Sequence, residues 1–282
     1  MESVSPTTAL LRRADPWLPW LPLLYLGGLL GLRQWNDGLY RWTLVEDGLL
    51  EYATAVAYLL SSLLAFLAAR RLRALGRRGL ARFWFLAAAG FFLIAGEEVS
   101  WGQRILGIET PEAWAAINRQ EETTLHNLSF VQKNITHLAY MAVGLGGALA
   151  WLLPQFWRGG KPWLSWILPP GRLALWFLPA AVFYLGVEII HQYTENGVAD
   201  AVRGLFGGHD PAVRQAWEQA YAALFGTTNK YYFLHQEGFE CLLSGGFLVH
   251  TLRVWDRAGQ AAAGGAAVPA GTERGEGLRR AA

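Results

Sequence analysis

A single cysteine, Cys241, stands among the 282 residues. One cysteine cannot build an internal disulfide framework or a four-cysteine zinc site. Charge is scarce too. Only 16% of the chain is Asp, Glu, Lys or Arg, against about 25% in an ordinary soluble domain. That argues against a polar binding module, and 14 Trp, 14 Phe and 10 Tyr argue against a disordered chain. There is no obvious internal repeat, no glycine-rich phosphate loop, no zinc-finger spacing and no basic patch suited to nucleic acid. Nucleic acid is therefore not an expected partner.

What the chain does have is apolar length. Hydrophobic residues make up 53% of it, and they come in runs long enough to cross a hydrocarbon core of about 30 Å. The pattern predicts an all-α polytopic membrane protein, a bundle of six transmembrane helices. The spans run roughly over 16–32, 48–69, 82–101, 135–153, 173–191 and 230–252. Residues 1–15 are a short N-terminal segment, 16–258 the membrane domain, and 259–282 an Ala-, Gly- and charge-rich tail expected to be disordered. The first span lacks a clear cleavage signature and reads as an uncleaved helix.

Basic residues set the orientation. Six Arg lie between Arg70 and Arg82, which places that loop in the cytoplasm and, with six spans, both termini as well. On this reading 16 of the 24 Lys and Arg fall on the cytoplasmic side. The expected location is a cell membrane, such as a bacterial inner membrane, with membrane lipids as neighbours. Two long external connections remain, 102–131 and 192–229. In the first, Pro111 can open a short helix with Thr110 as its cap. In the second, 198–206 and 211–225 show helical apolar spacing, the latter capped by Asp210, and both are expected along the outer membrane surface.

Seventeen of the 22 acidic residues lie outside or in the outer parts of spans. Acidic residues contribute little to topology, so their placement has another cause. In the loops, solubility suffices. Inside spans it does not. Glu97 and Glu98 sit about 22 Å up the third span from Arg82, at about 1.5 Å per residue. Glu188 and His191 reach a similar depth in the fifth span. His235, Glu237 and Glu240 descend to it in the sixth, and Glu51 lies just inside the outer boundary of the second. Glu122 and His126, four apart, share a face if their segment is helical. Each charged group facing lipid would cost at least a few kcal/mol, so these side chains should face one another. Their repulsion must be offset by shared protons, by Arg104 or by a bound cation.

Glu188-Ile-Ile-His191 has the Glu-x-x-His spacing by which carboxylate-bridged metal bundles point both side chains inward. The resemblance is one of spacing alone, and the second such motif is missing: Glu237-Gly-Phe-Glu240 has Glu where His would stand. A divalent ion is the expected cofactor: iron, zinc or manganese. Its candidate ligands are Glu98, Glu122, His126, Glu188, His191, His235 and Glu240, with Glu98, Glu237 and Arg104 as candidate catalytic groups. Adjacent residues on a helix diverge by about 100°, so Glu97 and Glu98 do not both face one centre, and Glu98 is preferred because Trp101 and Ile94 then sit on neighbouring faces. A purely structural hydrogen-bonded network is the competing explanation, in which Glu97 pairs with Arg104 and His137 satisfies a neighbour.

The expected function is a membrane enzyme, a hydrolase or transferase or an oxidoreductase. It would act on a lipid, quinone or lipid-linked substrate through a Glu/His metal or acid–base site in the outer half of the bilayer. An ion- or proton-coupled transporter using the same carboxylates is one alternative. A structural or accessory subunit is another, with a larger membrane complex or further copies of the chain as partners.

Overall fold

The computed structural model describes residues 6–45, 47–118, 120–156, 162–226 and 232–264. Among the described residues the chain is helical, with no strand. In chain order the α-helices are α1 Pro6–Ala14, α2 Leu21–Trp35, α3 Asp37–Leu44, α4 Leu49–Ala74 and α5 Arg78–Glu98. There follow three short ones, α6 Gln103–Leu106, α7 Glu112–Ala115 and α8 Ser129–Val131. The rest are α9 His137–Leu149, α10 Ala174–His191, α11 Gly197–Leu205, α12 Pro211–Phe225 and α13 Tyr232–Ala263. A π turn over Gln132–Thr136 joins α8 to α9.

Four helical segments are long and apolar enough to cross a membrane: 37–74, 78–98, 129–156 and 162–191. They cover the second to fifth predicted spans. Helices also occupy the other two predicted spans, but each differs from expectation. α2 is only 15 residues long, because 16–20 form turns before Pro22 opens the helix. α13 is 32 residues long and interrupted by charge. Its predicted start at Lys230 lies outside the described residues. α13 also continues through Gly259 to Ala263, where a disordered tail was expected. Gln260 donates to Asp256 one turn back at 2.6 Å, and alanines follow, so the helix persists. Residues 265–282 lie outside the described residues.

The long helices pack in sequence: α5 on α4, α4 on α13, α13 on α10, and α10 on α9. Small residues set the close contacts. A Cβ at Gly144 of α9 would come within 2.8–2.9 Å of the Ala181 nitrogen and the Phe177 carbonyl oxygen of α10. Both are backbone atoms that cannot yield. Gly144→Val is therefore expected to separate α9 from α10 and to destabilise the protein by about 1–3 kcal/mol, seen as a lower midpoint in thermal unfolding in detergent.

The two long connections pack against the helices. α12 begins at Pro211 with Asp210 accepting from the Ala212 amide at 2.8 Å, as the sequence predicts. Its Trp217, Tyr221 and Phe225 pack into the cluster built on Phe177, Phe183 and Tyr184 of α10. The apolar spacing read as a membrane-surface face thus lies against the bundle. α11 is capped by Asn196, which accepts from Ala199 at 2.9 Å. In the first connection Thr110 does not cap α7. Its hydroxyl is drawn to the Glu121 carbonyl at 2.5 Å and to Gln103.

Candidate functional site

A cavity of about 710 Å³ opens at the end of the bundle away from the Arg70–Arg82 turn. Its wall takes Glu51 and Tyr58 from α4, Glu97 and Glu98 from α5, Tyr140 from α9, and Glu237 and Glu240 from α13. The segment 120–127 covers it with Gln120, His126 and Asn127, and the π turn adds Gln132 and Thr136. π turns inside helices recur at functional sites because they redirect side chains that a regular helix would turn away. Glu98, Glu237 and Glu240 lie within electrostatic reach of one another. Glu240 is buried, and it accepts from Tyr184 of α10 and from Tyr140.

No comparable packing joins α5 to α9, the first and last of that sequence, and the cavity lies between them. Its rim there is apolar and open. Ile94 on α5 and Ile135 and Val143 beside or on α9 are 40–46% exposed. At the base, Tyr58, Phe91 and Phe247 close the cavity with ring centroids 5.2–6.2 Å apart.

Glu97 shows why its neighbour is the better candidate. One of its oxygens accepts from the Leu125 and His126 amides at 2.6 and 3.0 Å and lies 3.2 Å from His126 Nδ1. The other accepts from Trp101 Nε1 at 2.9 Å. Glu97 therefore fastens the covering segment to α5, while Glu98 faces the cavity. Between them and the cover, Ser100, Trp101 and Gly102 all have positive φ, of 47°, 54° and 76°. Such a turn costs the two non-glycine residues about 1–2 kcal/mol each. It persists because Ser100 Oγ donates to Glu122 at 2.8 Å and the Trp101 ring lies on Gly96, where a Cβ would clash.

Glu122 and His126 do not share a helical face. Asn118 holds 118–124 as a turn: its Oδ1 accepts from the Gln120 and Glu122 amides and its Nδ2 donates to the Thr124 carbonyl at 2.9 Å. Glu122 is consequently buried within the cover, paired with Arg104 and bonded to Ser100 and Asn127. Arg104 also pairs with Asp47, not with Glu97, and so ties the cover to the start of α4.

The Glu-x-x-His pair separates as well. Glu188 is fully buried, with His137 Nδ1 2.6 Å from one oxygen and Thr194 Oγ1 donating to it at 2.6 Å. The Thr194 amide and Arg203 Nη1 donate to the other at 3.2 and 3.0 Å. Arg203, itself buried, also donates to the Thr194 carbonyl at 3.0 Å. Glu188 thus joins α9, α10, α11 and the turn between the last two, and it is absent from the cavity wall. His191, one turn on, sits at the end of α10 within electrostatic reach of Arg214 and Glu218 of α12, also off the wall. His235 is buried against Phe225, with its Nδ1 2.6 Å from the Tyr40 hydroxyl. Of the residues singled out from sequence, the structure brings Glu51, Glu97, Glu98, Glu237, Glu240 and His126 to one cavity. It places Glu122, Arg104, Glu188, His191 and His235 elsewhere.

A shared ion would draw on Glu98, Glu237, Glu240 and His126. Among the described residues, no three His, Cys, Asp or Glu side chains are already grouped to hold one. Tyr58, Tyr140 and Tyr184 are the site's overlooked members. Their signal is a hydroxyl in mid-span, far from the interface where Tyr normally anchors a helix. No protein family, curated protein or solved structure matches the chain. The fold and cavity define a helical membrane protein with a carboxylate-lined chamber.

Proposed function

We propose that the protein is an integral membrane enzyme that performs acid–base chemistry on an amphiphilic substrate, a lipid, quinone or lipid-linked group. The observation that carries this is the cavity that gathers Glu98, Glu237 and Glu240 behind an apolar side opening between α5 and α9. Its volume lies within the range of ligand pockets. Among the described residues its wall carries carboxylates and no Lys or Arg, which suits a neutral, hydroxyl-bearing or cationic reacting group. One carboxyl gives a proton to the departing oxygen, and another takes one from water or an acceptor hydroxyl. Tyr140 and Tyr184 hold Glu240 in place. A divalent ion on these carboxylates and His126 is the metal-dependent form of the same reading. The aromatic closure formed by Tyr58, Phe91 and Phe247 weighs against transport, which needs a path through the other half.

The test compares cells expressing the full chain with cells expressing Glu240→Gln at the same membrane level. Mass spectrometry of the extracts is expected to show a lipid or quinone species depleted by wild type and spared by the variant. Identical extracts would overturn the reading. Elemental analysis of both purified proteins separates its two forms: a stoichiometric metal lost in the variant assigns the metal-dependent one.

The six-span topology belongs to the same proposal, with the Arg70–Arg82 turn in the cytoplasm and the cavity toward the other side. In a Cys241→Ala background, Gly79→Cys should resist an impermeant maleimide in intact cells. Glu195→Cys should react. Both positions are exposed. The reverse pattern would turn the cavity toward the cytoplasm.

A further inference from the structure

A second cavity, of about 480 Å³, lies at the opposite end of the bundle, between α1, α13 and the 3-10 turns that precede α10. Its chemistry is the reverse of the first. Arg253 and Arg257 of α13 line it, and Arg172 stands beside Asp15, which pairs with both Arg172 and Arg253. Burial pushes the Asp15 carboxyl up, but the two guanidinium groups more than reverse this and hold it below the usual carboxylate range. Asp15 therefore stays ionised at neutral pH and fixes Arg253 at the wall. Arg257 is fixed by other means. Its guanidinium lies 3.9 Å over the Trp166 ring, and Nη1 donates to the Ser165 carbonyl and hydroxyl, each at 3.1 Å. No carboxylate is paired with it among the described residues. Among the described residues, three guanidinium groups thus meet two carboxylates, Asp15 and Asp256, and the surplus is cationic.

His250 adds an independent requirement. It is 5% exposed and lines the same cavity. Its Nε2 is 2.8 Å from the Ile167 carbonyl oxygen, which can only accept, so Nε2 carries the proton. Nδ1 is then a buried acceptor, and among the described residues no group donates to it. A buried polar atom left unmatched is costly, so a donor beyond these residues would complete it. Leu11 of the amphipathic α1, Trp151, Leu168 and Val254 give the cavity an apolar wall, and Gln260 adds a polar group.

We infer that this cavity binds the headgroup of an anionic phospholipid that carries both a phosphodiester and a free hydroxyl, the phosphatidylglycerol class. The phosphate meets Arg257 and Arg253, the hydroxyl donates to His250 Nδ1, and the glycerol and first acyl carbons lie on the apolar wall. Basic pockets between membrane helices recognise headgroups in this way, and guanidinium groups suit phosphate oxygens. A soluble phosphate ester with a hydroxyl shares the polar chemistry, but the apolar wall favours the lipid.

Native mass spectrometry of the detergent-purified full chain tests this with four additives: phosphatidylglycerol, phosphatidylmethanol, phosphatidylcholine and glycerol 3-phosphate. Phosphatidylmethanol keeps the charge and lacks the hydroxyl. Wild type is expected to retain phosphatidylglycerol roughly tenfold better than phosphatidylcholine, with phosphatidylmethanol between them and no competition from glycerol 3-phosphate. Arg257→Gln, whose fold is checked by its unfolding midpoint, should lower phosphatidylglycerol retention to the phosphatidylcholine level. Equal retention of the three lipids overturns the inference, as does an unchanged preference in folded Arg257→Gln. Equal retention of phosphatidylglycerol and phosphatidylmethanol overturns the hydroxyl's role at His250. Displacement by glycerol 3-phosphate overturns the lipid as the ligand. Should Arg257→Gln not fold, the wild-type series decides alone.

Discussion

Glu188→Ala is expected to lower stability by about 3–5 kcal/mol, because it takes from the buried Arg203 guanidinium its closer, buried carboxylate and leaves it only the exposed Asp200, 3.5 Å from Nη2. It also removes the acceptor for His137 and for the Thr194 amide and hydroxyl, so α9, α10 and α11 lose their common tie. Thermal unfolding in detergent, followed by tryptophan fluorescence, measures the loss. Glu188→Gln keeps an acceptor for Arg203 and should cost less. Glu188→Ala combined with Arg203→Met should recover part of the loss, since the stranded charge is gone. If Glu188 were instead a member of the reacting site, its removal would leave stability nearly unchanged and abolish activity.

Glu240→Gln is expected to do the opposite. The amide has nearly the volume of the carboxyl and can still accept from Tyr184, so the unfolding midpoint should move little. It cannot exchange a proton, and turnover of the species identified in the extracts should fall roughly 10²–10⁴-fold. Glu98→Gln should fall in the same range. Tyr184→Phe, which only frees Glu240 to move, should reduce turnover less than either. A Glu240→Gln protein with wild-type turnover would remove Glu240 from the chemistry.

The fold was legible in the sequence where burial is continuous. The apolar runs place α4, α5, α9 and α10 within a few residues of their observed limits. Asp210-Pro211 marks the start of α12, because an N-cap followed by proline uses only local chemistry. The site was legible only in part. Depth along a helix follows from residue number, which puts Glu98, Glu237 and Glu240 at a similar depth, and all three line one cavity. Azimuth does not, and it depends on which neighbour each face meets. Glu188 and His191 have inward spacing, but the partners that claim Glu188 are His137, Thr194 and Arg203, which lie 51, 6 and 15 residues away. Glu122 and His126 diverge because Asn118 imposes a turn where helical spacing was assumed. The apolar face of α12 fits a membrane surface and a protein core equally well, and only the packing on α10 distinguishes them.

The central claim is that Glu98, Glu237 and Glu240 share a chamber open to the bilayer, whereas Glu188 is locked inside the protein. Reaction of the membrane-embedded chain with a hydrophobic carbodiimide, mapped by peptide mass spectrometry, tests this most directly. Such a reagent enters from lipid and modifies carboxyl groups that it can reach in their protonated form. Modification is expected at Glu240 and at its two cavity neighbours, to disappear at each site when that residue is changed to glutamine, and to be absent at Glu188. Rapid modification of Glu188 with none at the other three would contradict the account.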